Sequence, residues 1–146
     1  MRFFTRAFDV CEDDEAERIL RDYRAHYVRI AGRLPAGCTV LDALSLHDAV
    51  VTGIRAERDW AISCVAGDLH RGYYALDMRY VLPGRPMPVP PGLVGDEILR
   101  DEFDLAGGHF VHRMRFAQGT EIEIAFADLI VRCDRVADRD GTPMEV

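Results

Sequence analysis

Four consecutive residues, Ser45, Leu46, His47 and Asp48, form the strongest candidate in this chain for chemistry. An imidazole beside a carboxylate can transfer protons or hold a ligand, and such pairs occur in loops that a rigid scaffold positions. Neighbouring side chains of an extended strand point to opposite faces, so His47 and Asp48 reach one ligand only if the chain turns there. In the structural alternative, Ser45 and Asp48 bond nearby backbone and Leu46 is an apolar plug that locks this junction.

The second candidate pair, Asp101 and His112, is brought together by the predicted strand registers. Gly107–Gly108 is a two-residue hairpin turn signal, which places Phe103 opposite His112. Asp101 then lies diagonal to His112 on an apolar face, where the carboxylate can orient the imidazole. A purely structural pair is the alternative, because polar groups on a core face are costly unless they are paired.

The third candidate is Asp128, which lies where the last predicted strand changes phase. Apolar residues occupy even positions up to Phe126 and odd positions from Leu129 onward. This change predicts a bulge or bend near residues 127–128. The bend either re-aims Asp128 toward a site or only curls the sheet.

A second turn, at residues 117–119, continues the register if Gly119 adopts the left-handed conformation. The two turns together predict the pairs Leu99 with Phe116, Glu102 with Arg113, Met114 with Ile122, and Arg113 with Glu123. The hairpins are therefore expected to have one apolar face and one solvated face of paired charges.

The remaining elements complete an α+β domain that covers residues 1–146. Apolar residues at intervals of three and four predict one long helix over about residues 13–32, whose Tyr23 and Tyr27 are assigned to the core. Alternating segments over about residues 48–136 predict a twisted, mainly antiparallel meander sheet of about six strands, on which the helix packs. The proline-rich loop 83–95 is either a stiff connection or a recognition segment.

Composition and charge argue against several classes of function. The net charge of −7 disfavours nucleic acid but not a cationic protein. No apolar run approaches the roughly 18 residues of a membrane span, which favours a cytoplasmic protein. The four cysteines lack metal-site spacing, so we expect reduced thiols and neither metal nor cofactor. The absence of lysine removes lysine-based covalent catalysis.

The order of several short motifs resembles a family of small bacterial domains of unknown function. These motifs are Phe3-Phe4-Thr5, a charged helix, Leu46-His47-Asp48-Ala49-Val50-Val51, Asp96-Glu97-Ile98 and Glu121-Ile122-Glu123-Ile124. The resemblance implies an α+β domain without an established activity and transfers no catalytic residue. The general form, small and acidic with an exposed sheet, is also similar to that of toxin-neutralising immunity proteins, by analogy only.

The sequence favours a non-enzymatic protein-binding module, immunity-like in general form, that uses its acidic surface and the proline-rich loop. The alternative is a small hydrolase or small-molecule-binding protein with a site near His47 and Asp48, between helix and sheet. That site would draw on Asp101 or His112 as well. A third reading is a homo-oligomer that pairs through an edge strand.

Overall fold

The computed structural model of the chain describes residues 1–145. Its helices are a short 3-10 helix, Arg6–Val10, followed by α1, Asp13–Ala31, and α2, Ala36–Leu44. Its strands are β1, Ala49–Ala56; β2, Trp60–Asp68; β3, Gly72–Val81; β4, Glu97–Ala106; β5, His109–Phe116; β6, Glu121–Phe126; and β7, Asp128–Val136. Within residues 1–145, no helix is long and apolar enough to cross a membrane.

The predicted α+β class is confirmed, with α1 packed on a seven-stranded antiparallel sheet. The strands lie in the order β6-β5-β4-β1-β2-β3-β7, which departs from a simple meander after β3. The long connection that contains the loop 83–95 carries the chain past β1 and β2, so β4 pairs with β1. A thirteen-residue segment rich in proline suits this crossing, because it is too long for a hairpin turn and extends well.

The predicted bend at residues 127–128 divides one long segment into β6 and β7. Ala127 alone separates them, and its N–H donates to the carbonyl of Val81 at 2.8 Å. β6 pairs with β5 and β7 pairs with β3, at opposite ends of the strand order. The bend therefore curls the sheet into a nearly closed barrel, inside which the rings of Tyr80 and Phe126 lie 5.6 Å apart.

The predicted hairpin registers are confirmed except at one end. The structure pairs Phe103 with His112 and Met114 with Ile122. The pairing of Leu99 with Phe116 is wrong, because an irregularity between Ile98 and Arg100 places Ile98 opposite Phe116. Such a bulge adds one residue to its strand and bends it.

The face of paired charges is largely covered, in contrast to the predicted solvated face. Glu102 is fully buried because the N-terminal segment lies over it. Its carboxylate accepts the backbone N–H of Phe3 at 2.9 Å and that of Phe4 at 3.1 Å. Arg115 is also buried and donates to Asp9 of the 3-10 helix at 2.5 and 2.8 Å. The charges on this face hold the N-terminal segment on the sheet.

Helix α2 is an element that the sequence patterns did not reveal. It packs on β7 so closely that a Cβ at Gly37 would lie 2.2 Å from the carbonyl oxygen of Leu129. Glycine is therefore required at this contact. α2 buries Cys38 and Leu41 in the core that it shares with α1 and the sheet.

Candidate functional site

A cleft of about 510 Å³ opens between the two helices and β4, and we call it the α1–β4 cleft. Its lining combines aromatic and aliphatic side chains with two carboxylates, two guanidinium groups and one imidazole. The lining residues are Phe4, Phe8, Leu20, Tyr23, Arg24, Leu41, Asp42, Ser45, His47, Leu99, Arg100, Asp101 and Phe103.

The cleft exists because the sheet splits at this point. β1 and β4 share only two residue pairs, Ala49 with Ile98 and Val50 with Glu97. Beyond these pairs no strand within residues 1–145 pairs with the inner edge of β4, and α1 packs against it instead. The hydroxyl oxygen of Tyr23 accepts the backbone N–H of Phe103 at 2.9 Å, which satisfies a donor that would otherwise be buried without a partner.

Asp101 lies in the cleft at the end of a hydrogen-bonded chain of three side chains. Nε2 of His112 lies 2.9 Å from its Oδ2, and Nδ1 of His112 lies 2.7 Å from the hydroxyl of Tyr80. His112 and Tyr80 are completely buried, and the imidazole stacks on the ring of Phe103 at 4.1 Å. The Asp101 side chain keeps 22% of its exposure. Of the three, only Asp101 can touch a ligand.

The hydrogen bond between His112 and Asp101 fixes the position of one proton in this side-chain network. A carboxylate only accepts hydrogen bonds, so Nε2 carries the proton that His112 donates to Asp101. Burial, reinforced by the negative charge of Asp101, raises the pKa of Tyr80 well above its ordinary value. Its phenol therefore stays protonated, and its hydroxyl lies within hydrogen-bond distance of Nδ1 of His112 and, at 3.7 Å, of Sδ of Met78.

The predicted contact between Asp101 and His112 is confirmed, and it extends to a residue that sequence reasoning missed. Tyr80 belongs to β3, which is remote in sequence from both partners. Its alternation with Met78 marked it as inward-facing, but local registers relate only neighbouring strands. The closure of the barrel brings β3 to β5.

The junction at Ser45–Asp48 forms the turn that a joint action of His47 and Asp48 requires. Ser45 and Asp48 have φ angles of 60° and 63°, and these left-handed conformations are unusual for residues other than glycine. They bring Nδ1 of His47 within 2.9 Å of Oδ2 of Asp48. Leu46 is fully buried, as expected for a plug.

One expectation for this junction is wrong. The Asp48 carboxylate was expected to bond nearby backbone, but its partner is the imidazole of His47. The backbone N–H of Asp48 instead donates to the carbonyl of Ile98 at 2.8 Å. The junction is thus tied to the sheet through its backbone, which leaves both side chains at the surface.

His47 stands between the α1–β4 cleft and a second cleft of about 430 Å³. The second cleft contains polar groups from the junction and from the β2–β3 turn. Its lining residues are Ala43, Leu44, Ser45, His47, Asp48, Gly67, Asp68, Arg71 and Tyr74. Asp101 lines the first cleft only, whereas His47 lines both clefts. The His47–Asp48 pair and the Asp101–His112 pair therefore do not form a single site.

Asp128 does not join either pair. It is exposed and accepts the N–H of the next residue, Leu129, at 2.8 Å. Neither cleft contains it in its lining. The bend at this position therefore serves to curl the sheet.

Both guanidinium groups of the α1–β4 cleft already have partners. Nη1 of Arg24 lies 3.0 Å from both carboxylate oxygens of Asp42, and its guanidinium lies 5.4 Å from the ring centre of Tyr27. Arg100 donates through Nη1 to the carbonyl of Leu99 and lies over the ring of Phe8, while its buried Nε has no hydrogen-bond partner within residues 1–145. In the described part of the chain, by contrast, no arginine lies within 4.0 Å of Asp101.

The sequence analysis names Ser45, His47 and Asp101 of this cleft as candidates and assigns Tyr23 to the core, but it gives no role to Arg24 or Asp42. Tyr23 lines the cleft while burial, with Asp101 nearby, raises the pKa of its phenol. The i to i+7 spacing from Ala16 through Tyr23 to Ile30 indicated an inward face correctly. Asp42 could not be placed because its helix was missed.

The proline-rich loop is anchored at several points and exposes other apolar side chains. Leu93 is buried in the core, and the N–H of Gly95 donates to the carbonyl of Val51 at 2.7 Å. The indole N–H of Trp60 donates to the carbonyl of Met87 at 3.0 Å. Met87, Val89 and Val94 are 49%, 37% and 61% exposed. The loop lies apart from the α1–β4 cleft, and it lines a smaller cavity of about 240 Å³.

Comparisons of the chain with protein-family models, with curated proteins and with solved structures found no match. The resemblance to small bacterial domains of unknown function therefore stays a prediction, which rests on short sequence motifs.

Proposed function

We propose that this chain is a non-catalytic binding domain that captures a basic protein partner through the α1–β4 cleft. The observation that carries the proposal is the Asp101 carboxylate, which the buried imidazole of His112 holds in a cleft with aromatic walls and which no arginine of residues 1–145 approaches within 4.0 Å. A negative charge in a partly apolar cleft favours a ligand that is both cationic and apolar.

The surface beside the cleft supports a protein as the ligand. Asp13 and Glu17 follow the helical spacing that leads to Leu20, so all three lie along one side of α1. Leu20 is 49% exposed and forms part of the cleft wall. We call Asp13 and Glu17 the acidic stripe. The net charge of −7 adds a long-range field that speeds encounter with a cationic macromolecule.

Capture of a basic protein by an acidic domain is also how an immunity-like domain would neutralise a toxin. This analogy rests on charge and general form. It identifies the chemistry of the partner but not its activity.

Affinity capture from a lysate of the source organism tests the proposal when wild type is compared with Asp13→Asn/Glu17→Gln. We expect the variant to retain less partner at low salt, and the difference to shrink at high salt because exposed charges are screened. The captured protein should be basic. Cross-linking should place its contact at α1 and β4.

The matched control is Glu57→Gln/Asp134→Asn, which removes the same amount of charge from exposed positions outside the cleft. It should capture as much partner as wild type once the cleft is saturated. Equal loss in both double variants would mean that net charge alone is sensed. No loss in either variant would remove the acidic stripe from the contact surface and, with it, the support for capture beside the cleft.

A small hydrolase is the second candidate, favoured by the 2.9 Å contact between Asp48 and His47. An imidazole oriented by a carboxylate is the usual partner of a hydroxyl nucleophile. Ser45 is the nearest hydroxyl along the chain, and its Oγ accepts the backbone N–H of His47 at 3.3 Å. Ester hydrolysis lost in both Ser45→Ala and His47→Gln would support this function, and activity that survives both changes would reject it.

A further inference from the structure

The cleft contains an arginine site that the chain itself fills, and beside it a similar site that stands without arginine. In the first site, Arg24 bonds both oxygens of Asp42 while its guanidinium packs against the ring of Tyr27. One helical turn earlier on α1, Tyr23 lines the same cleft, and Asp101 supplies a carboxylate. The combination of an acid and an aromatic residue is repeated, but no arginine of the described residues lies within 4.0 Å of Asp101, because Arg100 of the same cleft bonds the carbonyl of Leu99 and lies over the ring of Phe8.

The oxygen of Asp101 that can accept a further hydrogen bond is Oδ1. His112 binds Oδ2, and no hydrogen bond within residues 1–145 reaches Oδ1. The imidazole cannot turn away, because Tyr80 holds its other nitrogen and Phe103 stacks on its ring. The carboxylate is therefore fixed in orientation before any ligand arrives, which reduces the entropy lost on binding.

We propose that the α1–β4 cleft binds an arginine side chain of the partner, with its guanidinium on the free oxygen of Asp101 and against the ring of Tyr23. A planar guanidinium suits this place better than an ammonium, because it can stack on an aromatic face while its N–H groups bond a carboxylate. Phe4, Phe8 and Leu20 provide apolar surface for the residues that flank the arginine. This inference rests on the proposed function, since it names the group by which the partner is recognised.

The test uses two tripeptides that differ only in charge, N-acetyl-Leu-Arg-Leu-amide and its citrulline analogue. Citrulline keeps the shape of arginine but is neutral. Titration of the ¹⁵N-labelled full chain with each peptide gives both the affinity and the location of binding. In wild type we expect the arginine peptide to bind at least about tenfold more tightly, as a charge-assisted hydrogen bond predicts, and to shift the amides of Tyr23, Asp101 and Phe103.

Asp101→Asn should abolish the preference for arginine over citrulline. Asparagine keeps an oxygen that can accept from His112, so the fold should survive, and unchanged amide shifts outside the cleft would verify this. Asp134→Asn removes the same charge at an exposed position and should keep the full preference. Equal binding of the two peptides to wild type, no shifts at the cleft at millimolar peptide, or a preference that survives Asp101→Asn would each overturn the inference.

These outcomes are separate from those of the capture experiment. If capture depends on the acidic stripe but the peptides are not distinguished, the domain binds its partner without an arginine at Asp101. If capture does not depend on the stripe, the proposed function fails first.

Discussion

At the scale of single residues, buried charge in this molecule serves to hold defined positions. Asp101 is fixed by His112 and Tyr80, and Glu102, its neighbour in sequence, faces the opposite side of β4. There the Glu102 carboxylate accepts hydrogen bonds from the backbone N–H groups of Phe3 and Phe4. One strand thus presents a ligand-accessible carboxylate on one face and a structural carboxylate on the other.

Replacement of Glu102 with glutamine should lower the free energy of unfolding by about 3 kcal/mol, because backbone donors and Arg113 would lose a buried anion. Urea unfolding measures this change. Glu123→Gln is the matched control, since Glu123 also pairs with Arg113 but is 58% exposed, and its loss should stay within about 1 kcal/mol. Equal effects of the two substitutions would contradict a structural role for Glu102.

The residues of the site were predictable to different degrees for a physical reason. Asp101 and His112 belong to adjacent strands joined by a two-glycine turn, whose positive φ angles of 58° and 80° fix the register locally. Tyr80 meets them only after the barrel closes. No local rule specifies that contact, so the third member of the chain was missed.

At the scale of elements, the packing of α2 on β7 depends on one glycine. Gly37→Ala should lower the free energy of unfolding by about 1–3 kcal/mol, because the added methyl group would collide with the backbone of Leu129. Gly32→Ala is the control, as a Cβ there meets nothing within 4 Å and φ is −67°. Urea midpoints that fall equally for both variants would show that the close contact is not limiting.

The 3-10 helix is attached to the sheet by an ion pair whose strength should depend on pH. The hydrogen bond from Arg115 lowers the pKa of Asp9 below its ordinary 3.8. A lowered folded-state pKa contributes stability above the unfolded value, and this contribution is lost as pH falls through the folded value. Wild type should therefore exceed Asp9→Asn in stability at about pH 5, and the difference should shrink as pH falls below 3.8 and vanish only below the folded-state pKa of Asp9.

Unfolding free energies of wild type and Asp9→Asn, measured across this acid range, provide the comparison. A difference that stays constant with pH would mean that the carboxylate charge does not hold the helix. Asp128→Asn offers a control for general acid effects, because Asp128 has no arginine partner within 4.0 Å among the described residues.

The strand registers could be predicted where a local turn sets them. The burial of the charged face of the sheet could not, because a segment distant in sequence covers it. Gly119, with φ of 93°, sets the register of the second hairpin as expected. The alternation of charges in β4 and β5 is the same whether that face meets water or the N-terminal segment. The nine residues of α2 begin directly after Pro35 and include Gly37, so the signals that end α1 obscured the start of a second helix.

At the scale of the whole molecule, the curled sheet and the cleft have a common origin. The bend at Ala127 brings β3 to β6 and closes the barrel on one side. On the other side, β1 and β4 separate after two pairs, and the helices fill the gap incompletely. The molecule therefore carries an open cleft, lined in part by the Asp101 carboxylate, on an otherwise closed core.

The affinity of the captured partner for Asp101→Asn, compared with wild type by calorimetry, tests the central claim most directly. Asp128→Asn is the matched control, because it removes the same charge at an exposed position outside the cleft. We predict a loss of at least about tenfold for Asp101→Asn and a change of less than about threefold for Asp128→Asn. Equal affinities of Asp101→Asn and wild type would contradict the account.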